Sequence, residues 1–304
     1  MDEIDKRLLF ELDENCRITY RELADRIGIS PNAIKKRITN LIESGVIHEF
    51  VVQLRNRMAD ATLVISAITT DGAEDRSVFY EAINEHPATL GVFPQIEKSY
   101  ILYSQCIGLQ QVNDLSIHLR GIDHVSELEM HIIGEQPLPD GRTSDLTKMQ
   151  LRVLKTLIDD PRKQIVEICQ ESGLSARRVR KTLEEIHEND SIHFAVFWNV
   201  NMGEGLYFMA RVEFDARSTN SKTLEAELKE HLPVEYWYSY VSATEPVMFS
   251  VFVVKHTRDM QDVATKVKNM HGVISVRNMV LYPVQIFKFP LREALKTIID
   301  AELT

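Results

Sequence analysis

Lys35, Lys36 and Arg37 are three consecutive cations, flanked by Asn32, Thr39 and Asn40 and preceded by Ser30. Cations of this kind pair with phosphate oxygens, while amides and hydroxyls match the donor and acceptor edges of bases. Arg177, Arg178, Arg180 and Lys181 make a second basic group, offset further along by Glu184, Glu185 and Glu188. The chemistry on offer is recognition of double-stranded DNA. No nucleophile–base pair stands out, so no catalytic residue is assigned. Exposed Lys and Arg also occur on many small helical bundles, so the underlying elements must carry the distinction.

Those elements are legible. Thr19-x-x-Glu22 is a capping box that opens a helix with Leu23, Ala24 and Ile27 on one face. Gly28 suits the left-handed end of that helix, Ser30 caps the next, and Pro31 takes its first position. Ile34, Ile38, Leu41 and Ile42 then form an apolar stripe at helical spacing. With that stripe turned inward, the cations must lie wholly or partly outward. Residues 46–52 look like a strand after the second helix, which predicts a winged helix-turn-helix. Ile4, Leu8, Leu9 and Leu12 supply a first helix to pack across it.

The chain has 304 residues, 44% of them hydrophobic, enough for two or more cores. Its net charge of −10 is the wrong sign for a protein that coats nucleic acid unselectively, but permits site-selective binding by locally basic helices. Cys16, Cys106 and Cys169 are far apart and form no C-x-x-C pair, so neither a disulfide framework nor a metal site is expected, and the setting is cytoplasmic. The charged start MDEIDKRLLF is neither a signal peptide nor a membrane span. No cofactor is expected.

Beyond the first motif, residues 61–68, 89–96, 100–107 and 125–133 read as strands. Helices fall at 74–86, with Val78, Phe79, Ala82 and Ile83 buried, and at 109–120. The order strand, helix, strand, strand, helix, strand is ferredoxin-like. A Pro- and Gly-rich linker follows at 133–144. The pattern then recurs at an offset of 145 positions: Ser30 and Ser175, Leu12 and Leu157, Gly28 and Gly173, Ile34 and Val179, His48 and His193 all pair. A second ferredoxin-like set runs from 206 to 283. The expected class is α+β, with two winged helix-turn-helix domains alternating with two ferredoxin-like sandwiches. The boundaries are 1–58, 59–134, a linker at 135–146, 147–203, 204–283, and a terminal helix at 284–304. That helix carries Leu291, Ala294, Leu295, Ile298 and Ile299 as one stripe, expected to pack on its own domain. The second helix-turn-helix is degenerate: Lys163 and Ala176 replace Ile18 and Pro31, Asn189-Asp190 falls near the place of Ser44-Gly45, and the Thr-x-x-Glu box is missing.

With IDKRLLFEL, RELADRIGISPNAIKKRITNLIESGVI and the βαββαβ order in hand, residues 4–133 resemble a transcription regulator of the leucine-responsive regulatory protein (Lrp)/AsnC family. The whole chain resembles two such subunits fused. The resemblance implies that residues 30–41 enter the DNA major groove and that the sandwiches, called RAM domains in the family, mediate assembly. The duplication itself lets one chain form a pseudo-dimer through its two sandwiches, with half-sites about 34 Å apart, and a homo-oligomer of such pseudo-dimers is expected. The resemblance also implies a small-molecule effector between sandwiches. The family's Gly-x-x-Asp-type turn is absent here, and Glu97, Lys98, Ser99, Ser242 and Thr244 stand in the corresponding turns as effector candidates. Two rival readings remain open. One is a sirohaem decarboxylase-like enzyme of the same fold, drawing on His118, His124, His131, His256 and His271 and on Tyr236, Tyr238 and Tyr240, which strand alternation sets on one side. The other is an assembly module that does not touch DNA.

Overall fold

A computed structural model describes residues 1–96, 98–134, 145–188, 191–203 and 205–303. Most of the linker, Asn189-Asp190 and Glu97 lie outside the described residues. The first copy contains α1 (Glu3–Glu14), α2 (Tyr20–Ile27), α3 (Pro31–Glu43), β1 (Ile47–Leu54), α4 (Asn56–Ala59), β2 (Ala61–Thr70), α5 (Arg76–Glu85), β3 (Thr89–Pro94), β4 (Ser99–Ile107), α6 (Gly108–Arg120) and β5 (Val125–Ile132). The second contains α7 (Lys148–Leu157), α8 (Ile165–Ser172), α9 (Ala176–Glu188), β6 (Ile192–Trp198), β7 (Leu206–Phe214), α10 (Ser221–His231), β8 (Tyr236–Val241), β9 (Val247–Val254), α11 (Thr257–Lys268) and β10 (Val273–Val280). A short β11 (Gln285–Ile286) and α12 (Pro290–Leu303) follow. The repeat therefore holds in element order, with a short 3-10 turn at Val200–Met202 in the place of α4, but the chain sorts into two units by kind. One gathers both helix-turn-helix segments and α12; the other gathers both sandwiches.

In the first unit, β1 forms no hairpin of its own. It pairs antiparallel with β6 of the other copy, Phe50 opposite Val196, Val52 opposite Phe194 and Leu54 opposite Ile192. The expected wing is thus a two-stranded ribbon between copies. The reason is backbone accounting: each strand needs a partner for its N–H and C=O groups, and its counterpart supplies one. Cys16, Val52, Leu54, Leu154, Ile168, Val179 and Phe194 share a single core. The terminal helix enters that core through Leu291, Leu295 and Ile299, all buried, and Arg292 pairs with Glu49 at 2.8 Å. Two arginines latch the copies together. Arg17 donates to the carbonyls of Pro161 and Lys163, and Arg162 donates to the Cys16 carbonyl at 2.7 Å while lying over the Tyr20 and Phe50 rings.

In the second unit, each sheet has the ferredoxin-like order, β3-β4-β2-β5 and β10-β7-β9-β8, with β11 added beside β3. The exchange is reciprocal. Gln285 and Ile286 pair with Val92 and Gly91, while Ile133 bridges Ser242 and the Ala243 N–H donates to Ile132. Each sandwich thereby covers part of an edge of the other, which blunts a surface prone to unwanted pairing. Rings meet between the sheets: Phe93 against Tyr207 at 6.2 Å and Tyr103 against Tyr240 at 5.6 Å.

Two positions correct the expected stripes. Ile42 is 46% exposed and Val78 is 62% exposed, because each sits at the margin of its helix's apolar arc while one residue nearer the centre, Leu41 or Phe79, takes the core. A third correction concerns β8. A bulge between Tyr236 and Tyr238 reverses the alternation, so Tyr236 packs with Phe252 in the helix-side core while Tyr238 and Tyr240 face the other sheet.

Two outcomes follow for stability. Leu295→Ala lowers the unfolding free energy by about 2–5 kcal/mol, read as a shifted urea midpoint. Burial pushes the half-buried Asp13 carboxyl up to about 7, with the Arg55 guanidinium opposing. The folded protein then holds a proton that the unfolded chain releases near 3.8, so this contribution to stability is present at acid pH and lost as pH rises through 7. Asp13→Asn is expected to raise Tm at pH 8, to change it little at pH 4, and to flatten the profile between; an unaltered profile refutes it.

Candidate nucleic-acid interface

The recognition helix candidate α3 is set by its neighbours. The Glu22 N–H donates to Thr19 Oγ1 at 3.2 Å and the Thr19 N–H to Glu22 Oε2 at 3.0 Å, which closes the capping box of α2. Gly28 ends α2 in the left-handed conformation, φ +86°, where a side chain is strained. Ser30 Oγ then accepts the Ala33 N–H at 3.2 Å and Pro31 starts α3. Ile34, Ile38 and Leu41 are buried, which turns Ser30, Asn32, Lys35, Lys36, Thr39 and Asn40 to the exposed side.

Arg37 departs from the expected row. Its guanidinium lies 2.7 Å from Asp5 and 2.9 Å from Asp2, and its side chain is 29% exposed. Asp2 and Asp5 form the capping box of α1, so one fork holds both carboxylates and docks α1 on α3. Partial burial pushes the Asp2 carboxyl up, but the Asp5 N–H and the Arg37 guanidinium outweigh it and hold its pKa below the usual carboxylate value. The acidic pair at the chain start is the sequence signal for this role, though nothing in its spacing points to a residue so far along the chain.

In the second copy, Val179, Thr182 and Ile186 are buried and Arg177, Arg178, Arg180 and Lys181 are exposed. Lys181 reaches Glu185 at 3.7 Å, so part of that charge is offset on the helix itself. Half of a capping box survives at α8: the Gln164 N–H donates to Glu167 at 2.9 Å. Thus α3 and α9 present comparable basic faces on differently capped frames.

The effector candidates are engaged in closing turns. Lys98 adopts φ +63°, its carbonyl accepts the Thr70 N–H, and its Nζ donates to the Asp71 carbonyl. The Ser99 carbonyl accepts the Gln95 N–H at 2.8 Å. Ser242 is buried and its Oγ accepts the Glu245 N–H at 3.3 Å, with Thr244 Oγ1 3.4 Å away. The histidines of the enzyme reading are dispersed. His118 contacts the Ala82 carbonyl, His124 pairs with Asp71, and the N–H of His256 donates to Asp259 at the start of α11. Burial pushes the Cys16 and Cys106 thiols up to about 12, far from a reactive thiolate. Among the described residues, no helix is long and apolar enough to cross a membrane.

Comparison with known proteins fits this geometry. A family model described as winged helix-turn-helix DNA-binding matches residues 1–48. The transcriptional regulator AzlB of Bacillus subtilis is 28% identical over 102 residues, 34% of this chain and 62% of that regulator, under two thirds of its length. The HTH-type transcriptional regulator LrpA of Mycobacterium tuberculosis is 27% identical over 124 residues, 40% of this chain and 81% of that protein. Among solved structures, the siroheme decarboxylase NirDL covers 100% of both chains with a TM-score of 0.53 at 14% identity, a likeness of fold alone. Most of a single regulator thus aligns with less than half of this chain, which suits two copies in tandem. The sequence relatives named here are transcriptional regulators, and the winged helix-turn-helix DNA-binding match covers α1, α2 and α3 of the first copy.

Proposed function

We propose that the chain is a cytoplasmic, sequence-selective DNA-binding regulator whose contacts are made by Ser30, Asn32, Lys35, Lys36, Thr39 and Asn40 on α3 and by Arg177, Arg178, Arg180 and Lys181 on α9. The supporting observation is the pair Lys35 and Lys36, exposed on a helix whose opposite face is buried. Arg37 acts inside the protein, holding Asp2 and Asp5. Because the two basic faces differ in sequence, one chain prefers a site whose halves differ. A homo-oligomer then forms by association of whole chains, each already a pseudo-dimer. A small effector is a ligand of the sandwich unit, with Lys98, Ser99, Ser242 and Thr244 as its candidate contacts and Glu97 retained with them.

The test is selection of bound duplexes from a random pool, then gel shift of variants across salt. Lys35→Ala with Lys36→Ala weakens binding and reduces the salt slope by roughly one unit for each phosphate no longer neutralised, with Tm unchanged. Arg37→Ala lowers the unfolding free energy by up to about 1 kcal/mol with little change in that slope. Binding and slope that survive the double lysine change refute the role of α3.

The whole-length likeness to NirDL favours a second reading, an enzyme acting on sirohaem. Incubation with sirohaem followed by an absorbance scan separates the two: an unchanged spectrum over hours is expected for the regulator.

A further inference from the structure

The face between the two sandwiches holds one buried imidazole among charges. His131 on β5 is 1% exposed, and its ring lies 4.9 Å from Phe249 of the second sandwich. Its Nε2 is 2.8 Å from Glu129 Oε1. Arg211 of the second sandwich donates to that same oxygen, from Nη2 at 2.9 Å and from Nε at 3.2 Å. A ligating imidazole needs the tautomer in which Nε2–H donates to Glu129 Oε1, and the 2.8 Å contact suits it. The lone pair then sits on Nδ1.

Nδ1 has no hydrogen-bond partner among the described residues. It faces Glu245 Oε2, from the loop between β8 and β9, at 3.8 Å. A lone pair aimed at a carboxylate beside a buried ring is repulsive, and a cation between the two atoms reverses the sign. Zinc binds imidazole nitrogen and carboxylate oxygen at about 2.0–2.2 Å, so two ligand atoms on one ion lie up to about 4 Å apart. The observed separation falls within that span. Glu129, His131 and Glu245 offer three ligand-type atoms within 4.8 Å of one another.

We propose that His131 Nδ1 and Glu245 bind a divalent transition ion of the zinc class, with Glu129 orienting the imidazole through Nε2. A carboxylate behind a ligating histidine is the usual arrangement around such ions, where it fixes the tautomer and raises ligand basicity. The nitrogen ligand selects zinc, cobalt or nickel over magnesium and calcium, which take oxygen. Glu245 is exposed while His131 Nδ1 is buried, so the ion would be reached from the Glu245 side. The ligands come from different copies, so the ion ties one sandwich to the other. The inference does not depend on DNA binding.

The test uses the full chain, stripped with a chelator and titrated with Zn2+ by calorimetry and with Co2+ by visible absorption. Wild type is expected to bind both ions, to show a cobalt d–d band that zinc displaces, and to gain in Tm. Glu245→Gln is expected to weaken zinc binding at least tenfold, and Glu129→Gln by about 10- to 100-fold. His131→Ala removes the band. That variant changes a buried residue, so Glu245→Gln, at an exposed position and checked for fold by circular dichroism, carries the decision. Absence of zinc binding by wild type, unchanged affinity in Glu245→Gln, or magnesium competing as well as zinc each overturns the assignment; the first outcome leaves a proton on Nδ1.

Discussion

A strand that follows a helix-turn-helix carries a row of N–H and C=O groups that must find partners. In this chain the partner of β1 is β6, the equivalent strand of the second copy, and the helices are arranged around that ribbon. The shared core beneath it draws on Cys16, Val52 and Leu54 of the first copy, on the helices of the second and on α12. The same accounting governs the sandwiches, where the segment leaving each sheet adds to an edge of the other. Duplication within one chain thus makes pairing between copies an intramolecular event, with the two strand sets held at high effective concentration.

That constraint leaves α3 with one inward and one outward face, and it divides the cations of the chain by role. Arg17, Arg37, Arg162, Arg211 and Arg292 point to carbonyls or carboxylates of the protein itself. Lys35, Lys36, Arg177, Arg178 and Arg180 stay at the surface. An arginine fork satisfies two acceptors at once, which suits the five half-buried arginines to latch elements together. On a chain of net charge −10, the exposed cations make a local field against an acidic background.

The interior face of the sandwich pair shows a different use of charge. Glu129, His131 and Arg211 lie where two sheets meet, next to rings and aliphatic groups. Partly buried ionic groups of this kind are weak contributors to net stability, since desolvation offsets their attraction. They do set how two sheets register, because a mismatch strands a charge.

The linear pattern of residues settled a good deal. Capping at Thr19 and Ser30, the glycine at 28, the apolar stripes and the offset repeat fixed the helix-turn-helix, the βαββαβ order and the duplication, because each rests on neighbours within a turn or on spacing along one element. Four features needed the tertiary structure. Arg37 found Asp2 and Asp5 more than thirty positions away. The wing became a ribbon with a strand from the other copy. The bulge at Tyr236 and Tyr238 changed which tyrosines share a face. Glu245 came to face His131 only when two sheets stacked. Local rules such as capping and periodicity are written in short windows of sequence, whereas the choice of partner for a charge, an edge strand or a lone pair depends on which surfaces meet once the chain has folded.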